Sequence, residues 1–532
     1  MRLSKLKNTR STLDIDIENK LRKEISVELA TPLTNIINSA LNQQRWPAIW
    51  KHEQVSPTPK CQFPEELTHL RKISGTSDYN KLFEGFVKGW IMEDISHKID
   101  VSQYGGKKGV GCEHMIVALL DRVLALLDQH PDKSAVILTG VDWASAFARG
   151  DPTKTILKFI KLGLRPSLVL LLVDYFTDRK MTVSFNQSKS SIFKLLGGFP
   201  EGSLIGQDAY VVASNDSADI TSPQDRFKYI DDLEMSELII LTGILEEYDF
   251  WSHVPSDIGV EQKFLPPQET RSQVYLNYVN NWTQDNLMKI NSSKSNYLIF
   301  SRSQEDFATR LSIGGEKIDR KSVTKILGVW ISEDAGDWSI NTSEICKKAY
   351  SRISMLSKLK YSGVKVEDLV EIYCLFIRSR AEHCGVAFHS SLTQHQTKKL
   401  TNIEKTCLKL ILQEMYVGYI EACEMVGIIP LSQRRQNRTL DFAKKCSAHP
   451  ENSRFFPVNA SLKVDPQTRQ REIFKVNFAR TESYRKSAIP TCQRLLNAHY
   501  SQLPAGSGGD EPQEGAEGPW GGEGAGVGEG QE

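Results

Sequence analysis

The stretch FKYIDDLEM, residues 227–235, places two adjacent aspartates, Asp231 and Asp232, between apolar residues of strand-like character. Two carboxylates that lie so close repel each other, and burying either one without a partner costs free energy. A turn between two strands tolerates aspartate and leaves its side chain in solvent or in a cleft. The pattern therefore predicts a β-hairpin with both carboxylates at its tip. The residues assigned to the strands on either side are Tyr229, Ile230, Leu233 and Met235.

A carboxylate pair at such a tip is stable if divalent cations bind there. Mg²⁺ prefers oxygen ligands and often takes one or two carboxylates together with substrate phosphates. A third carboxylate, Asp142, follows the apolar run AVILTGV, and functional residues often lie at the carboxyl ends of buried strands. With Asp231 and Asp232 it could form a site for two Mg²⁺ ions roughly 3.5–4 Å apart, the arrangement that moves phosphoryl groups in line. The alternative for an isolated aspartate pair is a solvated turn.

Composition is that of an ordinary globular protein, with 40% hydrophobic and 25% charged residues among 532. No apolar run reaches the roughly 18 residues of a membrane helix, and the N-terminus lacks the apolar segment of a signal peptide. We therefore expect an intracellular protein, nuclear or cytoplasmic, with no membrane contact. The nine cysteines include no C-x-x-C pair and no zinc-type spacing, so we expect reduced, mostly buried thiols. His383, Cys384 and His389 are accordingly expected to pack in the core or at an interface.

The net charge of +1 hides an uneven distribution. The last thirty residues contain seven acids and no lysine or arginine, so the preceding 502 residues carry a charge of +8. A positive excess of this size suits a polyanionic partner such as nucleic acid.

Apolar spacing along the chain predicts the order of helices and strands. Helices are expected at 16–43, with a new start at Thr31-Pro32, and at 112–128, 153–163 and 166–179. Strands are expected at 135–143, 181–185, 294–301 and 323–332. This order predicts an α+β fold with helices on one face of a sheet. Beyond about residue 340 the pattern is helical throughout and predicts a separate helical domain.

Nine stretches, taken in chain order, resemble the conserved motifs of one family. They are WKHEQVSPTPK, LRKISGTS, QYGGKKGVGCEHMIVALLD, VDWASAFARGD, GGFPEGSLIG, YIDDLEM, NLMKINSSKSNYLIFS, KILGVWIS and a thumb-like stretch that begins AEHCGVAFH. Together they resemble the reverse transcriptase of non-LTR (LINE-type, jockey/CR1-like) retrotransposons over roughly residues 20–450. Nine such stretches in the same order make coincidence very unlikely.

The resemblance implies a right-hand polymerase with fingers, a palm containing an antiparallel sheet, and a helical thumb. It also implies an RNA-directed DNA polymerase that extends a primer 3′-hydroxyl with dNTPs along an RNA template, with two Mg²⁺ as cofactors. The expected partners are an RNA template, a DNA primer and dNTPs. The domains that follow are an N-terminal helical extension (1–44), fingers and palm (45–335), thumb (336–450), a helical or irregular segment (451–502) and a disordered Gly/Glu-rich tail (503–532).

Individual residues take roles only through this resemblance. Asp142 and Asp231 match metal ligands, and Asp232 matches the second aspartate of the same motif. The other matches are Lys60 and Arg71 for contacts with the triphosphate, Phe147 for exclusion of a ribose 2′-hydroxyl, Gly202 and Ser203 for a turn near the template, and Lys294 for protonation of pyrophosphate. The alternatives are a solvated surface base for Lys60 and for Arg71, core packing for Phe147, and an ordinary strand-edge lysine for Lys294.

Two departures from the family pattern leave a second hypothesis open. Glu201 stands where the family usually has glutamine, and an anion there should repel a triphosphate. Ala148 stands where the family usually has aspartate, and we expect the cost of that change to be structural. The family's upstream endonuclease domain also has no counterpart among the matched stretches. The alternative to an active polymerase is therefore a catalytically impaired remnant that only binds nucleic acid. An RNA-templated RNA polymerase is a weaker alternative, and Phe147 argues against it.

Overall fold

A computed structural model describes Leu3 and residues 19–61, 63–130, 134–186, 188–240, 270–302, 309–459 and 473–502. The tail predicted to be disordered, 503–532, lies outside the described residues, as does the start of the helix predicted at 16–43. The strands are β1 His52–Pro59, β2 Leu70–Gly75, β3 Ser134–Val141, β4 Lys180–Phe185, β5 Ser188–Lys189, β6 Phe193–Lys194, β7 Arg226–Tyr229, β8 Asp232–Ile240, β9 Asn296–Ser301, β10 Ser312–Ile313, β11 Glu316–Lys317, β12 Asp319–Arg320, β13 Val323–Ile326 and β14 Val329–Ser332.

Helices surround these strands and dominate the C-terminal half, where Tyr373–Arg378 form a π-helical segment. The α-helices are α1 Asn19–Glu24, α2 Ser26–Gln43, α3 Asp78–Ile95, α4 Cys112–Gln129, α5 Ala146–Arg149, α6 Pro152–Lys161, α7 Pro166–Phe176, α8 Leu204–Ala213, α9 Arg271–Asp285, α10 Ser339–Tyr361, α11 Val366–Ile372, α12 Ser379–Glu382, α13 Gly385–Phe388, α14 Gln394–Leu412, α15 Tyr419–Met425, α16 Leu431–Ser447, α17 Glu482–Arg485 and α18 Ala488–Ser501.

A five-stranded sheet with the order β12-β9-β3-β8-β7 lies at the centre of the fold. Strand β3 pairs antiparallel with β8 on one side and with β9 on the other. Its sequence SAVILTGV is rich in β-branched residues and is buried at seven of eight positions, as expected for a central strand. The carboxyl end of β3 and the turn of the β7–β8 hairpin therefore lie at the same end of the strands of this sheet.

Alternate residues of β3 enter two different hydrophobic cores. Val136 and Leu138 pack with α4 and with helices of the C-terminal half, whereas Ala135 and Ile137 pack with the N-terminal helices, α8 and α9. Because strand side chains alternate between faces, the sheet is covered on both sides. The prediction of an α+β fold is consistent with this mixed architecture, but the expectation of helices on one face is wrong. The unbroken apolar run of β3 is itself typical of burial on both faces.

A second sheet has the order β2-β1-β4, with β5 and β6 beside β4. Strands β1 and β2 form an antiparallel hairpin in which Pro59 pairs with Leu70. Lys60 follows β1 directly, and its backbone N–H donates to the carbonyl of His69. Arg71 lies inside β2, so both bases assigned to phosphate contacts lie at the same end of this hairpin.

Most of the predicted helices form where the apolar spacing placed them. The helices expected at 112–128, 153–163 and 166–179 are α4, α6 and α7. Helix α6 begins as capping rules require, because the Asp151 carboxylate accepts from two backbone N–H groups and Pro152 occupies the first turn.

Two local predictions are wrong. Helix α2 runs through Pro32, and the break lies instead at Ile25, between α1 and α2. Packing of Leu33 and Ala40 on one buried face keeps α2 continuous despite the one hydrogen bond that proline lacks. The strand predicted at 323–332 is a hairpin, because Leu327 and Gly328 both adopt positive φ and form a two-residue turn between β13 and β14.

The first hydrophobic core continues from the sheet into the C-terminal helices. Leu138 belongs to the same cluster as Tyr373, Leu400 and Phe442, all of which are buried. This shared core joins the C-terminal helices to one face of the sheet. The domain boundaries predicted at 335 and 450 stay predictions. Across the described ranges, every helix is too short or too polar to cross a lipid bilayer.

Substitution of a central core residue tests this architecture. Leu138 is fully buried on β3. The substitution Leu138→Ala should lower the free energy of unfolding by about 2–5 kcal/mol, because it opens a cavity beneath the sheet. The matched control is Leu196→Ala, at a side chain that is 95% exposed, which should change stability by less than about 0.5 kcal/mol. Urea titrations of both variants measure the difference, and equal stabilities would contradict the two-core arrangement.

Candidate active site

Strand register brings Asp142 next to the aspartate pair. The last bonded pair between β3 and β8 is Val141 with Leu233, and one step further along this antiparallel register Asp142 lies opposite Asp232. Residues directly opposite in such a pair have Cβ atoms about 4.5–5.5 Å apart. The Asp142 backbone is fixed on its other side as well, since its N–H donates to Ser295 Oγ at 3.0 Å and its carbonyl accepts from Asn291 N at 2.7 Å.

The hairpin tip differs from the sequence-based prediction by one residue on each side. Tyr229 pairs with Asp232, so the turn consists of Ile230 and Asp231 alone, and Asp232 begins strand β8. Ile230 adopts φ +59°, a left-handed conformation that is a genuine outlier for a β-branched residue. Such strained backbone persists only where the surroundings impose it, and it concentrates at functional sites.

Gln103 and Gly105 hold this turn. The Gln103 side chain is buried, and its Oε1 accepts from Ile230 N at 3.0 Å and from Gly105 N at 2.9 Å. Gly105 lies so close to the turn that a Cβ there would come within 2.6 Å of the Ile230 side chain. The sequence pattern gave no role to either residue, although both belong to the motif-like stretch QYGG. They keep the strained turn in place and thereby position Asp231.

Burial raises the pKa of all three aspartates. Burial and the two neighbouring aspartates raise the pKa of Asp232 to about 6, and burial also raises the pKa values of Asp142 and Asp231. The side chains of Asp231 and Asp232 are nevertheless accessible to solvent, which is the condition of groups on the floor of a cleft. Clustered oxygen donors with unfavourable mutual repulsion fit hard divalent cations such as Mg²⁺.

A fourth acid, Glu234, lies beside the aspartates, and the sequence analysis did not select it. Side chains two apart on a strand share a face, so Glu234 is on the same side of β8 as Asp232. Its carboxylate oxygens occupy the space that a Cβ on Gly140 would fill. Burial and then the charge of Asp232 raise its pKa to about 8. The alternation in DLE was the signal that could have identified it.

Lys294 lies in an exposed turn before β9, not at a strand edge. It is near enough to Asp142 for its positive charge to oppose the rise in the pKa of that carboxyl. The structure thus places Lys294 within electrostatic reach of Asp142.

Phe147 and the glycine-rich stretch at 197–206 are joined by backbone hydrogen bonds. The carbonyl of Phe147 accepts from Phe199 N at 2.7 Å, and the carbonyl of Gly150 accepts from Gly198 N at 2.8 Å. The half-buried Phe147 ring stacks on buried Tyr210 of helix α8, with ring centroids 5.0 Å apart. Phe147 therefore does pack against the core, and part of its surface is also accessible.

The turn at Gly202 connects helix α8 to the second sheet. Gly202 has φ +85°, and a Cβ there would come within 3.0 Å of the Ser74 carbonyl in β2. Ser203 caps α8, because its Oγ accepts from Gly206 N at 2.7 Å. Only glycine fits this contact between the turn and the sheet edge.

Glu201 lies between the acids and a cluster of bases. Burial raises the pKa of Glu201, and the charges of Lys72, Lys60 and Arg71 oppose that rise. Arg71 likewise opposes the rise in the pKa of Asp231. The charges of three bases of the β1–β2 hairpin therefore act on Glu201, and the sequence analysis identified all of these bases but Lys72.

A cavity of about 170 Å³ opens beside Glu201. Lys72, Glu53 and Arg179 contribute charge to its walls, and Ala148 lines it where the family usually has aspartate. Position 148 therefore adds no carboxylate to the two acids that line this cavity, Glu53 and Glu201.

Two curated proteins are similar to this chain, and both are named as RNA-directed DNA polymerases, one of them as a probable one, from mobile elements of Drosophila melanogaster. The enzyme named for the mobile element jockey of Drosophila melanogaster is 21% identical over 455 residues, which cover 83% of this chain and 47% of the relative. The probable RNA-directed DNA polymerase from transposon BS is 27% identical over 201 residues, covering 37% of this chain and 22% of the relative. The matched region thus spans at most about half the length of these relatives. No protein-family model matches the chain.

The raised pKa of Asp232 predicts how stability depends on pH without divalent cations. A carboxyl whose pKa is raised in the fold contributes most to stability when protonated, below about pH 4, and that contribution is lost as pH rises through about 6. Asp232→Asn removes the charge, so in EDTA its melting temperature should exceed that of the wild type at about pH 7.5 and approach it near pH 4.5. Exposed Asp441 provides the control, as Asp441→Asn. A wild-type advantage at pH 7.5 would contradict the clustering of the carboxylates.

Proposed function

We propose that the chain is an RNA-directed DNA polymerase of right-hand architecture, extending a primer 3′-hydroxyl with dNTPs on an RNA template. The observation that carries the proposal is the β3–β8 register, which places Asp142 opposite Asp232 and beside Asp231. Acids from two distant parts of the chain thus meet where they are accessible to solvent, and the curated relatives are named for this activity.

In this proposal, Asp142, Asp231 and Asp232 hold two Mg²⁺ ions. When bound, such ions lower the pKa of the primer hydroxyl and stabilise charge on the departing pyrophosphate. The protein's own contribution is to fix the three carboxylates before substrate arrives. Gln103 and Gly105 do so for the turn, and Ser295 does so for Asp142. Pre-positioned groups avoid the reorganisation that flexible ones would undergo during the reaction.

The bases of the β1–β2 hairpin are proposed to bind the incoming triphosphate. The charges of Lys60, Arg71 and Lys72 act on Glu201, and that of Arg71 also acts on Asp231, where the phosphates of a metal-bound nucleotide would lie. Charge-assisted hydrogen bonds from lysine and arginine to phosphate are among the stronger polar contacts in proteins. In the right-hand architecture this hairpin belongs to the fingers, the five-stranded sheet to the palm and the C-terminal helices to the thumb.

Phe147 is proposed to select dNTPs over NTPs. Its ring is held by stacking on Tyr210, and Phe147 lies five residues after Asp142 in the chain. A rigid aromatic side chain near the sugar would exclude a 2′-hydroxyl by contact. Lys294, near Asp142, is proposed to assist protonation of pyrophosphate.

A second function, binding of nucleic acid without catalysis, is favoured by Glu201 alone. Its carboxylate lies among the bases proposed to bind the triphosphate and offsets part of their charge. Salt-sensitive binding to an RNA–DNA hybrid in a filter assay, without primer extension, would select this second function.

Removal of one proposed metal ligand tests the activity directly. Asp231→Asn should reduce extension of oligo(dT) on poly(rA) in Mg²⁺ by at least ~100-fold, because the developing charge loses its pre-positioned stabilisation. Asp441→Asn, on an exposed face of α16, is the control and should extend primer like the wild type. Full activity of Asp231→Asn would remove the role proposed for the turn.

The departure at Glu201 gives a separate prediction. Glu201→Gln should lower the KM for dTTP about 5-fold near pH 8 with kcat little changed, if the repulsion removed is ~1 kcal/mol. Because burial raises the pKa of Glu201, the difference should shrink as pH falls and the carboxyl becomes protonated. Steady-state kinetics of both proteins at several pH values measure this. An unchanged or higher KM in Glu201→Gln at every pH would contradict the proposed repulsion.

A further inference from the structure

Three potential metal ligands meet behind the candidate active site. Cys112, the first residue of α4, lies beside His383 and Cys384, which precede α13. The two sulfur atoms are 3.8 Å apart, and Cys384 Sγ is 3.6 Å from His383 Nε2. All three potential ligand atoms lie within 4.8 Å of one another. His383 and Cys384 were expected to serve only packing because their spacing in the sequence fits no zinc pattern. Cys112 is 272 residues away from Cys384, so sequence spacing could not reveal its place in the cluster.

These distances are those of a tetrahedral zinc centre. Zn–S bonds of ~2.3 Å and Zn–N bonds of ~2.0–2.1 Å, at tetrahedral angles, separate two sulfurs by ~3.8 Å and a sulfur from a nitrogen by ~3.6 Å. Both of the separations given for Cys384 agree with these values. Core packing of two thiols and an imidazole sets no such requirement on either distance.

We propose that Cys112, His383 and Cys384 bind one Zn²⁺ ion, with water in the fourth position. Thiolate and imidazole are ligands that Zn²⁺ favours, and Mg²⁺ does not. Cys384 is buried, Cys112 is half-buried and His383 is exposed, so the site has an apolar side and an opening to solvent. This zinc site is distinct from the aspartate cluster and does not depend on the polymerase activity.

The hydrogen bonds within the cluster are compatible with metal binding. Without metal, the Cys384 thiol donates a hydrogen bond to Cys112 Sγ. Zn²⁺ binding would displace the thiol protons and leave two thiolates. His383 Nε2 lies 2.9 Å from the Leu327 carbonyl, so ligation through Nε2 would replace this hydrogen bond and leave the ring proton on Nδ1.

The site joins three parts of the fold. Cys112 begins α4 beneath the five-stranded sheet, His383 contacts the Leu327–Gly328 turn of the β13–β14 hairpin, and Cys384 enters the C-terminal helices. Cys384 also adopts φ +50°, a strained conformation for a residue with a side chain, and this conformation aims its sulfur at Cys112. A metal here would fix the helical half relative to the sheet.

Metal content of the full-length protein tests the proposal. Protein purified with reductant and desalted should retain close to one equivalent of Zn²⁺ by mass spectrometry of the metal. Cys112→Ser and Cys384→Ser should each weaken Zn²⁺ binding by more than the ~10–100-fold typical of losing an outer-shell partner. Cys374→Ser is the matched control, since Cys374 is also a half-buried free cysteine and lies outside the cluster.

Cobalt substitution distinguishes loss of a ligand from loss of the fold. Co²⁺ in the wild-type site should give thiolate-to-metal charge-transfer absorption together with the visible bands of tetrahedral cobalt. The charge-transfer absorption should fall to about half in Cys112→Ser, while circular dichroism stays unchanged. Wild-type protein that retains no Zn²⁺ and shows no thiolate–cobalt absorption would overturn the proposal, as would full zinc retention by both serine variants.

Discussion

The pairing of β3 with β8 is the interaction on which the candidate active site depends. Eight consecutive residue pairs, from Ser134 with Ile240 to Val141 with Leu233, fix the register over the whole length of β3. A slip by one residue would move every side chain of the strand to the opposite face and into the wrong core. Because Val136 and Leu138 face one core and Ala135 and Ile137 face the other, hydrophobic burial enforces the register. The position of Asp142 opposite Asp232 follows from the packing of apolar residues.

The remaining parts of the cleft are attached to this pairing by short-range contacts. Gln103 holds the Ile230–Asp231 turn from one side, and the Gly202 turn contacts β2 on the other. Charges of the β1–β2 hairpin reach Glu201 and Asp231 across the cleft. Neighbouring carboxylates contribute to the raised pKa values of Asp142 and Asp232, and a bound cation would relieve that repulsion.

The features that could be predicted from the sequence are those that depend on a local pattern of residues. The apolar run before Asp142 and the strand-like flanks of Asp231 were sufficient to place both at strand ends. The sequence pattern missed features set by three-dimensional neighbours: the left-handed Ile230 is held by Gln103, and Glu234 gains its importance only from burial beside Asp232. Burial of the sheet on both faces was indicated by the composition of β3, but the helices that cover it come from both ends of the chain.

The Cys112–Cys384 contact was beyond reach for the same reason, because 272 intervening residues separate the two sulfurs that the fold brings together. Resemblance to a family supplied roles for matched positions and could not supply this one, which lies at positions to which that family's motifs assign no ligand. Distances between side chains from separate elements thus require the structure, while the order of elements does not.

The central claim is that Asp142, Asp231 and Asp232 together hold divalent cations. Anomalous X-ray diffraction from crystals grown with Mn²⁺, a primer–template and a non-hydrolysable dNTP measures this most directly. The account predicts two anomalous peaks ~3.5–4 Å apart beside the carboxylates of Asp142, Asp231 and Asp232. Peaks that lie elsewhere, or Mn²⁺ bound without contact to Asp142, would contradict it.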